Sequence, residues 1–241
     1  MIRVRKADDH FNSKNEWLDT THHFSFAEYH DPERQSFGPL RVFNDDTIKP
    51  GTGFGFHQHN DMEIVTFVID GVLEHKDNFG NVGIINPGEV QRMSAGTGVF
   101  HSEYNHSDKD PLRLLQMWVF PKHKGLKPSW GQQKFTINDR RDKLLPVISP
   151  TNGVNLISIH QDASFYVSNI SQDKTVSANL SEGRQAYLYV ILGSVIVNNE
   201  KLQERDSAEI IDESLISIHA QDESEIILID LPVNFEKNLE N

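Results

Sequence analysis

G-T-G-F-G-F-H-Q-H at positions 51–59 and S-A-G-T-G-V-F-H-S-E-Y-N at 94–105 frame the stretch on which the chain turns. The first places His57 and His59 two residues apart; the second does the same for His101 and Glu103. On a β-strand, side chains at i and i+2 point to one face. Each pair can therefore aim at a common point between two strands. Three imidazoles and a carboxylate converging there are a donor set suited to a divalent metal.

Composition narrows the remaining choices. The 241 residues suffice for two domains, each with its own core. A formal net charge of −12 argues against a nucleic-acid partner, because phosphate binding needs a basic patch. There is no cysteine, so disulfides and thiolate metal sites are excluded, leaving His and carboxylate as the strong ligands. The opening M-I-R-V-R-K-A-D-D-H lacks the apolar run of a signal peptide. No stretch approaches the roughly 20 apolar residues of a membrane helix. A cytoplasmic protein without a membrane or nucleic-acid partner is expected.

Working outward from the motif, strands follow one another closely. M-E-I-V-T-F-V-I (62–69) has the β-branched and aromatic composition of a strand, and Asp70-Gly71 reads as a hairpin turn before Val72–Lys76. Val82–Ile85, Glu89–Ser94, Val99–Asn105 and Leu112–Phe120 read as further strands. Upstream, Pro39–Asn44 reads as a strand, while Asp31–Gln35 and Asp45–Gly53 read as loops rich in turn residues. His22 and His23 open an alternating run to Tyr29; adjacent residues on a strand point apart, so strand surface and pocket wall are expected of them. Residues 121–130, with two prolines and several lysines, read as the start of a linker, and I-N-D-R-R-D-K (137–143) as a short helix capped by Asn138. Beyond it the strand rhythm resumes. Y-L-Y-V-I-L-G-S-V-I-V (187–197) parallels I-V-T-F-V-I-D-G-V-L-E (64–74), a sign of duplication. His160 and His219 stand alone there, without an H-x-H, and are read as structural. The expected architecture is all-β: an N-terminal metal-binding domain over 1–122, a linker with a short helix over 123–143, a second β-domain without metal ligands over 144–232, and a frayed or helical tail over 233–241.

The run G-F-x-F-H-x-H-x-D-M-E-I-V-T-F-V, then L-E-H-K-D-x-x-G-N, G-E-V-Q-R-M-S-A-G-T-G and H-S-E-Y-N resembles the pirin family of the cupin superfamily. The likeness extends upstream through H-H-F-S-F-A-E-Y and F-G-P-L-R-V-F-N-D-D, densely over the first half and loosely over the second. Gly51-x5-His57-x-His59-x3-Glu63 resembles the first cupin motif, and Gly88-x5-Ser94-x-Gly96-x4-His101-x3-Asn105 the second. Where many pirins carry H-P-H-R, this chain has His57-Gln58-His59-Asn60, which removes a positive charge beside the site. The resemblance implies a bicupin, two jelly-roll barrels packed together.

Two glutamates compete for the fourth ligand position. Glu63 shares the strand face of His59 but lies about 13 Å further along an extended strand. Glu103 is two residues from His101, and the resemblance implies Glu103 as well. The expected ligands are therefore His57, His59, His101 and Glu103, with Glu63 a structural acid. His75 and His106 are weighed equally between supporting the ligands and packing in a polar strand face. Phe24, Phe26, Phe43, Phe54, Phe56 and Phe67 are expected mostly in the core, a few lining a pocket for a flat aromatic ligand. The resemblance implies quercetin 2,3-dioxygenase activity on a flavonol and O2, with Glu103 the base for the flavonol 3-hydroxyl proton. Fe(II) is the first expectation for the metal; Zn, Ni, Cu and Co suit the same donors. The competing function is a metal-containing regulatory or redox-sensing protein that acts through protein partners.

Overall fold

Alternation of β-branched and polar residues puts more than half of the described residues into strands, with few helical residues. The structure, a computed structural model, describes residues 1–151 and 153–235. In chain order the first strands are β1 (Ile2–Arg5), β2 (Phe11–Lys14), β3 (Leu18–His22), β4 (Leu40–Ile48), β5 (Gly53–His59) and β6 (Glu63–Asp70). They are followed by β7 (Leu73–Asp77), β8 (Val82–Ile85), β9 (Glu89–Ser94), β10 (Val99–Asn105), β11 (Leu112–Val119) and β12 (Ser129–Lys134). No helix among the described residues is long and apolar enough to cross a membrane.

The described residues form two compact units. One comprises residues 11–134 and 159–161; the other comprises residues 1–10, 135–158 and 162–235. The first unit is a two-sheet jelly roll. Its larger sheet has the order β12-β9-β6-β11-β4-β3-β2 and its smaller one β5-β10-β7-β8. A core cluster joins Ile48, Val68, Leu112 and Leu114 of the larger sheet to Leu73 and Ile85 of the smaller. Burying such side chains contributes about 1.5–3 kcal/mol each.

The second unit repeats this plan with a seven-stranded and a four-stranded sheet. In the larger sheet, Arg184–Leu192 sits third from one edge, as β6 does in the first unit. Both strands end at a glycine with positive φ, +79° at Gly71 and +80° at Gly193, and the chain then crosses to the smaller sheet. A Cβ at Gly71 would lie 2.5 Å from the Pro111 carbonyl, and one at Gly193 2.4 Å from that of Glu223. Asp70-Gly71 is therefore a crossing between sheets and not the hairpin expected from sequence: β6 and β7 do not pair.

Several boundaries differ from the sequence expectations. β1 belongs to the second unit, pairing Ile2 with Ile210 and Arg5 with Ser207. Ile2 and Val4 pack on that unit's core, which holds these residues away from an N-terminal domain spanning 1–122. The segment 123–143 is not a continuous linker. β12 within it pairs with β9, because Trp130 gains an apolar seat beside Ile64 and Met93. The prolines, Pro121 and Pro128, precede the strand, where no ladder donor is needed. The short helix covers Ile137–Arg140, and Thr136 caps it instead of Asn138. Thr136 and Asp139 form a reciprocal capping box, satisfying two terminal N–H groups. β4 continues through Asp45 and Asp46, read as loop, to Ile48. Asp45 is tolerated there by a two-point pairing with Arg113, at 3.0 and 2.7 Å. The expected tail lies mostly outside the described residues.

Candidate metal centre

The centre is assembled by the antiparallel pair β5 and β10 with β7 alongside. Register places His101 opposite His57 and Val99 opposite His59, then slips so that Glu103 faces Phe54. The slip leaves Gly55 and Phe56 against Ser102 alone, a β-bulge that re-aims the neighbouring side chains. It brings the backbones very close: a Cβ on Gly53 would lie 2.3 Å from the Glu103 carbonyl. Only glycine fits there.

His57, His59 and His101 bring one ring nitrogen each within 4.8 Å of the others. Their ring centroids are 4.4 Å apart for His57 and His101, 4.7 Å for His57 and His59, and 4.9 Å for His59 and His101. His57 Nδ1 lies 2.7 Å from the Gly55 carbonyl. A carbonyl only accepts, so Nδ1 carries the proton and Nε2 keeps its lone pair. His101 Nε2 is buried and without a hydrogen-bond partner. Burial, with the neighbouring imidazoles adding, lowers His59 and His101 to about 3. At neutral pH both rings are uncharged, the form that binds a metal.

Glu103 meets this group from one side. With His75 and His101 it forms a second set of donors within 4.8 Å, all buried. Burial pushes its carboxyl up, opposed by nearby histidines and two glutamine amides. Those amides are oriented by a chain of hydrogen bonds. Trp130 Nε1, which can only donate, gives its proton to Gln91 Oε1 at 2.9 Å. The Gln91 amide N–H groups then face Thr66 Oγ1 at 3.0 Å and Glu103 Oε1. Thr66 donates to Gln116 Oε1 at 3.1 Å, which turns the Gln116 amide nitrogen onto Glu103 Oε2 at 2.7 Å. Each carboxylate oxygen thus accepts one amide proton and retains a lone pair.

His75 stands behind His101, their Nδ1 atoms 3.4 Å apart. One of the two must be protonated for this contact to attract. The His75 ring stacks on Trp130 at 5.2 Å, and its Nε2 lies 3.6 Å from Asp77. His106, weighed equally with His75 from sequence, is exposed and faces Glu74 at 3.3 Å. Glu63 is buried elsewhere, accepting from Ser94 Oγ at 2.9 Å and the His160 amide at 3.3 Å. It is in neither donor group among the described residues. His219 pairs with Thr175 Oγ1 at 3.1 Å. Gln58 is exposed on the outer face of β5 and bonds Asn60 at 3.2 Å.

An open cleft lies beside His57 and His59, with Phe26, Phe54 and Trp118 as aromatic walls. Of the other phenylalanines considered, Phe24, Phe43 and Phe67 are core and Phe56 is exposed. His22 and His23 are buried and not on the strand surface. Sequence reading missed Trp118, Gln91, Gln116 and Trp130, and on β4 it missed Asn44 and Asp46. Val42, Asn44, Asp46 and Ile48 alternate along one face of β4, and the two polar members of that row line the cleft. That break in an apolar row was a legible signal. The donor set fits a divalent cation: neutral imidazoles, an adjacent carboxylate, and a buried His101 nitrogen that no protein group satisfies.

Comparison with known proteins agrees with this architecture. Residues 3–119 match the Pirin family and residues 146–231 the quercetinase C-terminal cupin domain. The chain is 41% identical over 232 residues to the quercetin 2,3-dioxygenase of Escherichia coli K12, covering 96% of this chain and 99% of that one. It is 41% identical over 231 residues to a pirin-like protein of Caulobacter vibrioides, covering 95% and 99%. The crystal structure of the bacterial pirin YhhW from Escherichia coli in complex with nickel(II) superposes with a TM-score of 0.92 at 41% identity, covering 96% of this chain and 99% of that one. With both halves matched and two jelly-roll units in place, this chain belongs to the pirin family and is a bicupin.

Proposed function

We propose that the chain is a metal-dependent dioxygenase that opens the heterocycle of a flavonol such as quercetin with O2. The observation that supports this reading is the group of His57, His59 and His101, joined through His101 to a second group with Glu103, beside an aromatic-walled cleft. His57, His59, His101 and Glu103 would hold the metal, Fe(II) first among the candidates, with Ni, Zn, Cu and Co suited to the same donors. When bound, such an ion supplies Lewis acidity toward the flavonol 3-hydroxyl and electronic access to dioxygen.

The chain's own residues supply the rest. Phe26, Phe54 and Trp118 form walls that accept a flat ring and exclude water. Glu103 takes the 3-hydroxyl proton on the lone pair that its glutamine contacts leave free. Gln91 and Gln116 hold the carboxylate plane in place for that transfer. The names of the relatives support the same substrate class. The test is oxygen uptake and carbon monoxide release with quercetin, on protein of known metal occupancy. Turnover indistinguishable from the free metal ion in buffer overturns the enzyme reading.

That outcome would favour a second reading, a metal-responsive protein acting through a protein partner. Its one supporting observation is on the outer face of β5 and β10, where Phe56, Phe100 and Tyr104 are exposed.

A further inference from the structure

The cleft holds polar groups that the dioxygenase reading leaves unused. Asp46 lines it from β4, in the same sheet as Trp118 on β11. The residue is only 3% exposed, and its Oδ1 has no hydrogen-bond partner. A buried carboxyl oxygen left unpaired costs about 1–3 kcal/mol or more. Neighbouring polar groups on the same strands are already committed. Asn44 pairs with His22 Nδ1 at 3.0 Å, Gln116 holds Glu103, and Asp45 is taken by Arg113. Trp118, another lining residue, leaves its indole N–H buried and unpaired. Two residues that line the same aromatic-walled space thus each hold one buried, unpartnered polar atom, an acceptor and a donor.

We infer that Asp46 is the residue by which the cleft selects hydroxylated aromatic ligands, its Oδ1 pairing with a phenolic hydroxyl of the bound molecule. The Trp118 indole N–H completes the pattern by donating to a ligand oxygen. The ligand class is a flat polyphenol with oxygens at separate positions of its ring system, since register sets Asp46 and Trp118 four strand positions apart; an unsubstituted aromatic of the same shape would leave both groups unpaired. Discrimination of this kind is strong because the penalty falls on the wrong ligand. The inference rests on the flavonol reading for the ligand, but concerns binding and not turnover.

The test compares quercetin with unsubstituted flavone, each binding to the metal-loaded full chain, followed by quenching of tryptophan fluorescence. Asp46→Leu is expected to melt at or above the wild-type temperature at pH 7, since it removes a buried carboxyl with one unpartnered oxygen. It is expected to weaken quercetin binding about ten- to hundred-fold, the worth of one charge-assisted hydrogen bond, and to leave flavone binding within about two-fold. Asp46→Asn, nearly isosteric, carries the same comparison if the leucine variant does not fold; it is expected to retain part of the preference. Equal losses for the two ligands, unchanged quercetin affinity, or a wild type that does not prefer quercetin each overturn the inference. Selective, Asp46-dependent quercetin binding without oxygen uptake overturns the dioxygenase reading and leaves this one standing. Oxygen uptake with a KM unmoved by Asp46→Leu does the reverse.

Discussion

Glu103 accepts two amide protons from opposite sides, and this decides what its replacement does. In Glu103→Gln the new amide nitrogen must face one of those donors, so a buried N–H opposes a buried N–H. We expect a loss of about 1–3 kcal/mol in denaturant unfolding of the metal-free protein, with retained metal binding and turnover reduced about 10²–10⁴-fold. Adding Gln116→Glu restores an acceptor between the same groups. The double variant should recover the stability and not the turnover; full activity in metal-loaded Glu103→Gln would take the base role away from Glu103. Asp46 makes a pH-dependent contribution. Burial, with the Asp45 and Glu103 charges adding and the Thr20 hydroxyl opposing, raises its carboxyl from the ordinary 3.8 to about 7. Between those values the folded chain binds more protons at this site than the unfolded chain, so the site loses stability as pH rises. The melting-temperature gap between Asp46→Leu and wild type should therefore open from about pH 4 to pH 7 and stay level above. A gap independent of pH would contradict the raised value.

β12 shows how an edge strand can govern a centre to which it gives no ligand. Its Trp130 does two things at once, stacking on His75 behind His101 and orienting Gln91 beside Glu103. Trp130→Phe keeps the stack and deletes the donor, which leaves Gln91 Oε1 without its partner and holds the amide less firmly beside the carboxylate. We expect about a ten-fold loss of metal affinity in competition with a chelator, with the fold intact by circular dichroism. Gly83→Ala reaches the same element from β8, because a Cβ there would lie 2.5 Å from the Trp130 ring. The two variants should resemble each other in metal affinity; unchanged affinity in both would reduce β12 to a cover strip.

The two units share a sheet plan and differ in chemistry. Among the described residues, both candidate metal groups lie in the unit of residues 11–134 and 159–161. We expect one metal ion per chain by elemental analysis, and none after His57→Ala with His101→Ala. A stoichiometric metal in that double variant would place the site elsewhere. The corresponding strands of the second unit carry Val176, Ile216 and Ile218, packed into an apolar core cluster. That unit keeps the architecture as a packed β-domain with its interior filled.

Strand content, duplication and the grouping of His57, His59 and His101 were legible because each depends on local spacing. Alternation sets which side chains share a face, and H-x-H with H-x-E needs no knowledge of the rest of the chain. Pairing partners were not legible, because they depend on residues far apart in sequence. β1 gains its apolar seat from strands some 200 positions away, and nothing in I-R-V-R announces it. The same holds for Asp70-Gly71, whose turn chemistry suits a hairpin until the Pro111 carbonyl forces the crossing. Asp45 and Asp46 looked like loop residues because they open a segment dense in Asp, Pro and Gly. Arg113, distant in sequence, supplies a partner for Asp45, and the cleft itself gives Asp46 its place. Local periodicity writes the strands and the ligand spacing; long-range packing chooses the neighbours that orient, neutralise and enclose them.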